Sequence, residues 1–263
     1  MTATPTAEFA SLVYGPDGVT YDDPAETFHE ASSLYPDVAP GRLLSLLELE
    51  RNVALQETVT RASYTRDHLA GTDLPAFDLG GARLHDVLLE RRSRTPEARA
   101  RLSLGALAST LGAAYRSEHG RRPVPSGGAL YPLELYAVAL DVDSLERGVH
   151  HYNPYRHRLA LMRTVEREAV AAALVDRELV ENAAALLVVT AMFWRSRFKY
   201  GLRGYRFVLL EAGHLMQNAL LAATALGVPA RPLAGYYDRP LDALVGADSL
   251  DEASVYALLL GGA

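Results

Sequence analysis

The longest helical pattern of the chain runs over residues 206–226 and places apolar residues on most sides of the predicted helix. Such a helix lies in a core or at an interface rather than against water. An apolar run at residues 183–194 precedes it, and at about twelve residues this run is too short to span a bilayer. We therefore predict a buried strand there. With 263 residues, 49% hydrophobic and 22% charged, the chain can form the sizeable core that both segments require.

The remaining segments mix strands and helices without regular βαβ alternation, which predicts an α+β fold. Alternating apolar residues indicate strands, whereas apolar residues at helical spacing indicate helices. Strands are predicted at residues 133–140, 148–152, 157–162, 185–193 and 253–260. Helices are predicted at residues 41–70 (one or a pair), 84–94 with a basic end, 102–115 with Ser103 as N-cap, and 164–174. The pattern of residues changes near residue 81. We therefore divide the chain into an N-terminal extension, residues 1–80, that is irregular plus helical, and a main domain, residues 81–263.

Charge and composition exclude several classes of function. The formal net charge is −6, so a nucleic-acid partner is not expected. The chain has no cysteine, which rules out disulfides, thiolate nucleophiles and Cys-ligated metal centres. No secretory signal or membrane-spanning segment is evident, so we expect a cytoplasmic protein that does not enter a membrane.

Two short motifs could hold a flat or anionic ligand. In residues 125–132, PSGGALYP, two adjacent glycines allow a close backbone approach and Ser126 adds a hydroxyl, although composition alone favours an ordinary tight loop. In residues 91–94, RRSR, guanidinium groups match phosphate oxygens, although a solvated helix end is the simpler interpretation. A strand follows the glycines, so they are not a dinucleotide-binding fingerprint.

Two further motifs carry titratable groups. Residues 195–205, RSRFKYGLRGY, are predicted to form a basic, glycine-broken loop with Lys199 next to Tyr200. An ammonium beside a phenol favours the phenolate form, and a basic surface turn is the equal alternative. Glu211 and His214 share one helical face. For His214 we favour a buried, hydrogen-bonded side chain over a metal ligand, and no metal site is predicted.

The order of these motifs resembles the McbC/SagB-type azoline dehydrogenases, a branch of the nitroreductase-like flavoproteins. The resemblance runs from about residue 84 to the C-terminus. The motifs that resemble the family are RRS, PSGGALYPLELY, the Gly-x-x-x-Tyr of residues 148–152, and FKYGLRGYRFVLLEAGHLMQNALLAATALG. The segment TFHEASSLYP resembles the N-terminal region of the same branch. It implies a nitroreductase-like FMN-binding fold: a mostly antiparallel central sheet flanked by helices, in an intertwined homodimer. The catalytic domain would be residues 81–263.

The resemblance also implies how FMN is held. The residues toward the phosphate and ribityl chain would be Arg91, Arg92 and Ser93. The residues along the flavin ring, from the partner subunit, would be Pro125, Ser126, Gly127 and Gly128. Gly235 would offer a backbone N–H near the flavin N5. The family often carries a further basic residue at the position of Thr95, so Arg94 or another arginine is expected to substitute.

The implied reaction oxidises a thiazoline or oxazoline in a peptide or carrier-bound substrate to the aromatic azole, in natural-product biosynthesis. Lys199 and Tyr200 match the family's catalytic pair, with Tyr200 as the base. A cyclodehydratase or a peptide synthetase would be a further partner. Two other functions stay open: an NAD(P)H-dependent nitro or flavin reductase, and a non-catalytic scaffold in a peptide-modifying complex.

Overall fold

The computed structural model describes residues 23–35, 51, 52, 54, 58 and 63–262. Its helices are α1 (Pro24–Ala31), α2 (Leu84–Glu90), α3 (Leu104–Tyr115), α4 (Arg167–Ala172), α5 (Trp194–Tyr200), α6 (Arg203–Ala225) and α7 (Asp238–Val245). Its strands are β1 (Gly71–Asp73), β2 (Leu133–Ala139), β3 (Gly148–Asn153), β4 (Arg158–Arg163), β5 (Ala185–Met192), β6 (Ala230–Leu233) and β7 (Glu252–Leu260). Short 3₁₀ turns lie at Gly127–Ala129 and Arg177–Val180.

All seven strands join one sheet in the order β1-β4-β3-β2-β5-β7-β6, and every pairing is antiparallel. The fold is therefore of the α+β class, with an antiparallel central sheet flanked by helices, as the sequence predicts. The strands β2 and β5 are buried along their whole length. This explains why they appear in the sequence as apolar runs rather than as alternating patterns.

The sheet separates two hydrophobic cores. On one face, α3 and α6 pack against β2 and β5 through residues such as Leu111, Leu215 and Leu135. On the other face, α4 and α7 pack on the same strands through Val170, Leu241 and other apolar residues. Because both faces of the central strands are covered, β2 and β5 form a rigid frame whose ends can hold a site precisely.

Most predicted elements are confirmed within one to three residues at their ends. Ser103 caps α3, since its hydroxyl accepts a hydrogen bond from the Ala106 N–H at 3.1 Å, as a helix N-cap should. The predicted long helix is α6, and Gly227 follows it with φ +70°, a conformation that favours glycine. The hairpin is β3–β4. Among the described helices, none has both the length and the apolar character needed to cross a membrane.

Several predictions of local structure are wrong or incomplete. Residues 194–200 form helix α5 rather than a loop, because Gly201 ends this helix and Gly204 already lies inside α6. Helix α2 ends at Glu90, so the basic run at residues 91–94 lies outside it. The sequence also does not reveal β1, β6 or α7, and it predicts irregular structure where α1 forms. The helix predicted over residues 41–70 falls mostly outside the described residues, but its predicted end is wrong, since residues 63–70 are not helical. Much of the extension at residues 1–80 also falls outside the described residues.

Candidate functional site

The Lys199–Tyr200 pair lies against the backbone of the glycine motif. A Cβ added to Gly128 would be 2.6 Å from Tyr200 Oη and 3.2 Å from Lys199 Nζ. Gly128 has φ +66°, so both its conformation and this close approach require glycine. A Cβ on neighbouring Gly127 would be 3.1 Å from the ring of Phe207, which packs edge-on against Tyr200 with ring centroids 5.0 Å apart. The structure therefore brings two predicted motifs together within one chain.

A chain of hydrogen bonds closes the loop that contains these glycines. The Ser126 hydroxyl accepts from the Tyr131 N–H at 2.9 Å and is hydrogen-bonded to the Glu211 carboxyl. Glu211 also accepts from the Tyr115 hydroxyl at 2.7 Å, and that hydroxyl accepts from the Leu133 N–H at 3.3 Å. Helices α3 and α6 thus hold both ends of the loop in place.

Glu211 is a buried carboxyl group directly beneath the loop. Burial raises its pKa to about 7, although the hydrogen bonds from Ser126 and Tyr115 act in the opposite direction. A cavity of about 290 Å³ between the loop and α6 is lined by Ser126, Gly127, Glu211 and His214, among others. The sequence gives no signal for the role of Glu211, because its partners are distant in the chain.

The expectation for His214 is wrong: the side chain is exposed rather than buried. Residues 211 and 214 are three apart on α6. Glu211 lies on the buried side of this helix, whereas His214 lies on its exposed side. Within the described parts of the chain, no group of histidine and carboxylate side chains is arranged to bind a metal ion.

Helix α5, which carries Lys199 and Tyr200, is anchored by a buried ion pair. Arg195 is 1% exposed, and its Nη1 donates to Glu134 Oε1 at 2.6 Å. The other oxygen of Glu134 bonds to His151 Nε2 at 3.0 Å. Burial alone would raise the pKa of Glu134, but the hydrogen bond from His151 and the charge of Arg195 lower it. The start of α5 is therefore fixed to β2 and β3.

The segment just before β1 is fastened to the same region. The Tyr64 N–H donates to Glu134 Oε1 at 3.1 Å, and Ser63 Oγ accepts from Arg122 at 2.9 Å. The Arg122 guanidinium lies over the rings of Tyr115 and Tyr131, at 4.1 and 4.6 Å from their centroids. Part of the predicted N-terminal extension therefore packs against the elements that hold the site.

The basic motif lies in a second region, beside the start of β6. Arg91 is half-buried, whereas Arg92 and Ser93 are exposed. Arg92 Nη1 donates to the carbonyls of Leu89 and Arg91 at 2.8 and 2.9 Å, so part of its donor capacity is used by the backbone. A cavity of about 780 Å³ is lined by Ser93, Arg94, Thr95, Pro96, Glu97, Ala98, Ala100, Pro229 and Gly262.

Gly235 lies beyond the other end of β6. It is five residues after Ala230, or roughly 16 Å along an extended chain. Its carbonyl accepts from the Val175 N–H at 3.1 Å. Its own N–H has no hydrogen-bond partner among the described residues, and the residue is exposed. Strand β6 thus connects the cavity beside Ser93 with a free backbone donor.

The predicted site residues therefore form two clusters. The ring cluster contains Gly127, Gly128, Lys199 and Tyr200. The strand cluster contains Ser93, beside the start of β6, and Gly235, beyond its end, with Arg91 and Arg92 next to Ser93 in sequence. No hydrogen bond or ring contact between described residues joins the two clusters within one chain.

The donor set fits FMN, the cofactor that the sequence resemblance implies. FMN has a phosphate at one end of its ribityl chain and a flat ring at the other. Its site therefore needs cations and hydroxyls near the phosphate, and protein backbone without bulky side chains near the ring. The strand cluster offers guanidinium groups and a serine at one end of β6 and an unpartnered N–H beyond the other. The ring cluster offers a glycine backbone on which a flat ring can lie.

Comparisons with known proteins agree with this architecture. Residues 88–262 match the Nitroreductase family. The Methanocaldococcus jannaschii protein MJ1384, named as a nitroreductase, is 37% identical over 169 residues, 62% of this chain and 84% of that protein. The Escherichia coli microcin B17-processing protein McbC is 38% identical over 124 residues, 45% of this chain and 46% of McbC. The match thus spans less than half of McbC.

Solved structures give the same result. A chain of the E. coli microcin synthetase McbBCD complex, solved with truncated pro-MccB17 bound, aligns with a TM-score of 0.60 and 25% identity, covering 91% of each chain. A nitroreductase-like protein of Ralstonia eutropha aligns with a TM-score of 0.63 and 24% identity, covering 73% of this chain and 89% of that one. The chain therefore belongs to the nitroreductase family of FMN-dependent oxidoreductases, and its resemblance to the McbC-type branch is confirmed.

Proposed function

We propose that this protein oxidises azolines, thiazoline or oxazoline rings within a peptide or carrier-bound substrate, to the corresponding azoles. The observation that carries the proposal is the contact between the Lys199–Tyr200 pair and the backbone of Gly128. An ammonium and a phenol thus lie beside a glycine surface that suits a flat ring. The similarity to McbC and to the Rhizobium leguminosarum trifolitoxin-processing protein TfxB, 35% identical over 125 residues, supports a role in peptide maturation.

In this proposal Tyr200 takes the proton that leaves a ring carbon of the azoline. Lys199 is its neighbour in sequence, and both Nζ and the phenolic oxygen face the same point near Gly128. Lys199 would hold its side chain beside the phenolic oxygen during this proton transfer. When bound, FMN supplies the two-electron acceptor that the loss of two hydrogens requires, and dioxygen regenerates it.

The residues that would hold FMN follow from the two clusters. Arg91, Arg92 and Ser93 would bind the phosphate and ribityl end, and Gly235 would donate its unpartnered N–H to the ring. The residues that would line the ring are Pro125, Ser126, Gly127 and Gly128. Fork-shaped guanidinium groups suit a phosphate because they can donate two parallel hydrogen bonds.

A homodimer would bring the ring cluster of one copy to the strand cluster of the other. Two neighbouring helices present an apolar surface that suits such a partner. Leu84, Leu88 and Leu89 of α2 are 65%, 52% and 64% exposed, and Leu209 and Leu210 of α6 are 43% and 60% exposed. Apolar surface of this kind on packed helices is typical of interfaces.

The experiment compares wild-type protein with the double variant Lys199→Ala/Tyr200→Phe, using a synthetic azoline peptide and air. Mass spectrometry follows the loss of two hydrogens per ring, and absorbance measures bound flavin. We expect the variant to retain flavin and to lose azole formation. The matched control is Arg156→Gln, at an exposed residue whose ion-pair partner, Asp67, belongs to neither cluster. Wild-type azole formation by the double variant with full flavin would contradict the assigned roles.

The same assay separates the other two functions. A nitro or flavin reductase would bleach its flavin with NADPH alone and would leave the azoline peptide unchanged. A scaffold would be purified without flavin and would still bind a cyclodehydratase.

A further inference from the structure

Arg231 occupies an unexpected place in the strand cluster. It is the second residue of β6, and its Nη1 donates a hydrogen bond to Thr95 Oγ1 at 2.6 Å. The two residues are 136 positions apart in sequence. Their contact is set by the neighbouring backbone, because the Arg94 N–H donates to the Ala230 carbonyl at 2.8 Å. The loop at residues 93–95 is thereby held against the start of β6.

The charge of Arg231 is not neutralised within the described residues. Thr95 is a neutral acceptor, and no carboxylate of the described chain forms an ion pair with Arg231. A guanidinium has five N–H donors, so one bond to Thr95 leaves most of them available. The side chain is half-buried, where an unpaired charge favours an anionic partner more strongly than at an open surface.

The cavity next to this contact is large enough for an anionic group, and Thr95, the partner of Arg231, lies in its wall. It measures about 780 Å³ and includes Ser93, Arg94 and Thr95 in its wall. Two arginines, Arg94 and Arg231, flank the same loop, against one lining carboxylate, Glu97, which is exposed. The hydroxyls of Ser93 and Thr95 add uncharged donors.

We propose that Arg231 binds the phosphate of FMN, supplying from β6 the positive charge that Thr95 lacks. The inference rests on the proposed cofactor-binding role of the strand cluster. In this arrangement Thr95 orients the guanidinium, so that its remaining N–H groups face the phosphate oxygens. The cation reaches the site from the edge strand rather than from the loop.

The experiment measures binding of FMN and of riboflavin to apoprotein by quenching of flavin fluorescence. Riboflavin has the same ring and ribityl chain but no phosphate, so a phosphate contact affects FMN alone. The variant is Arg231→Gln, the conservative variant is Arg231→Lys, and the charge control is Arg156→Gln. The double variant Thr95→Arg/Arg231→Gln returns a cation to the same place from the loop.

We expect Arg231→Gln to weaken FMN binding about 10- to 100-fold, the range for a lost charge-assisted hydrogen bond, and to leave riboflavin binding unchanged. Arg231→Lys should weaken FMN binding less, and Thr95→Arg/Arg231→Gln should recover most of the affinity. Equal FMN affinity in wild type and Arg231→Gln would overturn the proposal. An equal loss for riboflavin would also overturn it, because Arg231 would then act through the fold. Wild-type protein that binds neither flavin would instead contradict the proposed function.

Discussion

The phenolic oxygen of Tyr200 lies where a side chain on Gly128 would begin, since a Cβ at Gly128 would be only 2.6 Å from it. Gly128 lies in a glycine turn and Tyr200 in a short helix, 72 positions further along the sequence. These two segments are thus in van der Waals contact with no space for an additional side chain. Catalysis by the proposed route depends on this fit, so substitutions on either side of it should have predictable effects.

Substitution Gly128→Ala should displace Tyr200 and Lys199 without unfolding the protein. The matched control is Gly80→Ala, because Gly80 has a similar φ of +64° but nothing within 4 Å of an added Cβ. Both variants should lose about 1–2 kcal/mol of stability through the left-handed backbone. Only Gly128→Ala should also lose turnover, by about 10- to 100-fold. Equal azole-forming rates in the two variants would contradict the assigned geometry.

Glu211 should make stability fall as pH rises. Its pKa is about 7 in the folded protein, compared with about 4.3 for an unperturbed glutamate. The folded state therefore keeps a proton that the unfolded state releases, so the free energy of unfolding should decrease between about pH 4.5 and 7, by about 3 kcal/mol. Glu211→Gln should lack this component. Chemical denaturation of both proteins across that range measures it, and identical pH slopes would refute it.

Arg195→Met should be strongly destabilising, because it leaves the carboxylate of Glu134 buried with only His151 and a backbone N–H as partners. Removing one member of a buried ion pair costs about 3–5 kcal/mol. The comparison is Arg101→Met, which breaks an ion pair with Asp143 whose side chains are 63% and 51% exposed, and should cost at most about 1 kcal/mol. Urea denaturation gives both values. A similar loss for the two variants would mean that Arg195 does not anchor α5.

The apolar face on α2 and α6 should mediate a homodimer. Sedimentation equilibrium of the wild-type protein should give twice the chain mass of 28.6 kDa. Leu88→Asp/Leu209→Asp should give a monomer with weakened FMN binding, since each site would lose one of its two clusters. Leu250→Asp, at a residue 86% exposed, should remain dimeric. A wild-type monomer that binds FMN fully would show that one chain completes the site.

Local patterns predicted the frame of this fold well. The buried strand β5 and the long helix α6 are each indicated by one continuous pattern of apolar residues, and the hairpin β3–β4 is indicated by its Asn153–Pro154 turn. Helix α5 was missed because glycines at 201 and 204 suggest a loop. In the structure Gly204 instead allows α6 to approach α5, where a Cβ would be 2.8 Å from the Ser196 carbonyl.

The sequence predicts only those site residues that belong to a continuous motif. Gly128 and Lys199–Tyr200 stand in recognisable motifs, so the sequence pointed to each of them. The roles of Glu211 and Arg231 come from contacts with Tyr115 and Thr95, which are 96 and 136 positions away. No spacing rule connects such pairs, because the sheet and its helices bring them together only in the folded chain.

The most direct measurement mixes FMN-loaded protein with a peptide azoline in the absence of oxygen and of NAD(P)H, and records flavin absorbance together with peptide mass. We predict that the oxidised-flavin absorbance disappears and that one azoline per bound flavin loses two hydrogens. Flavin that remains oxidised with the azoline peptide, yet bleaches when NADPH is added, would contradict the account.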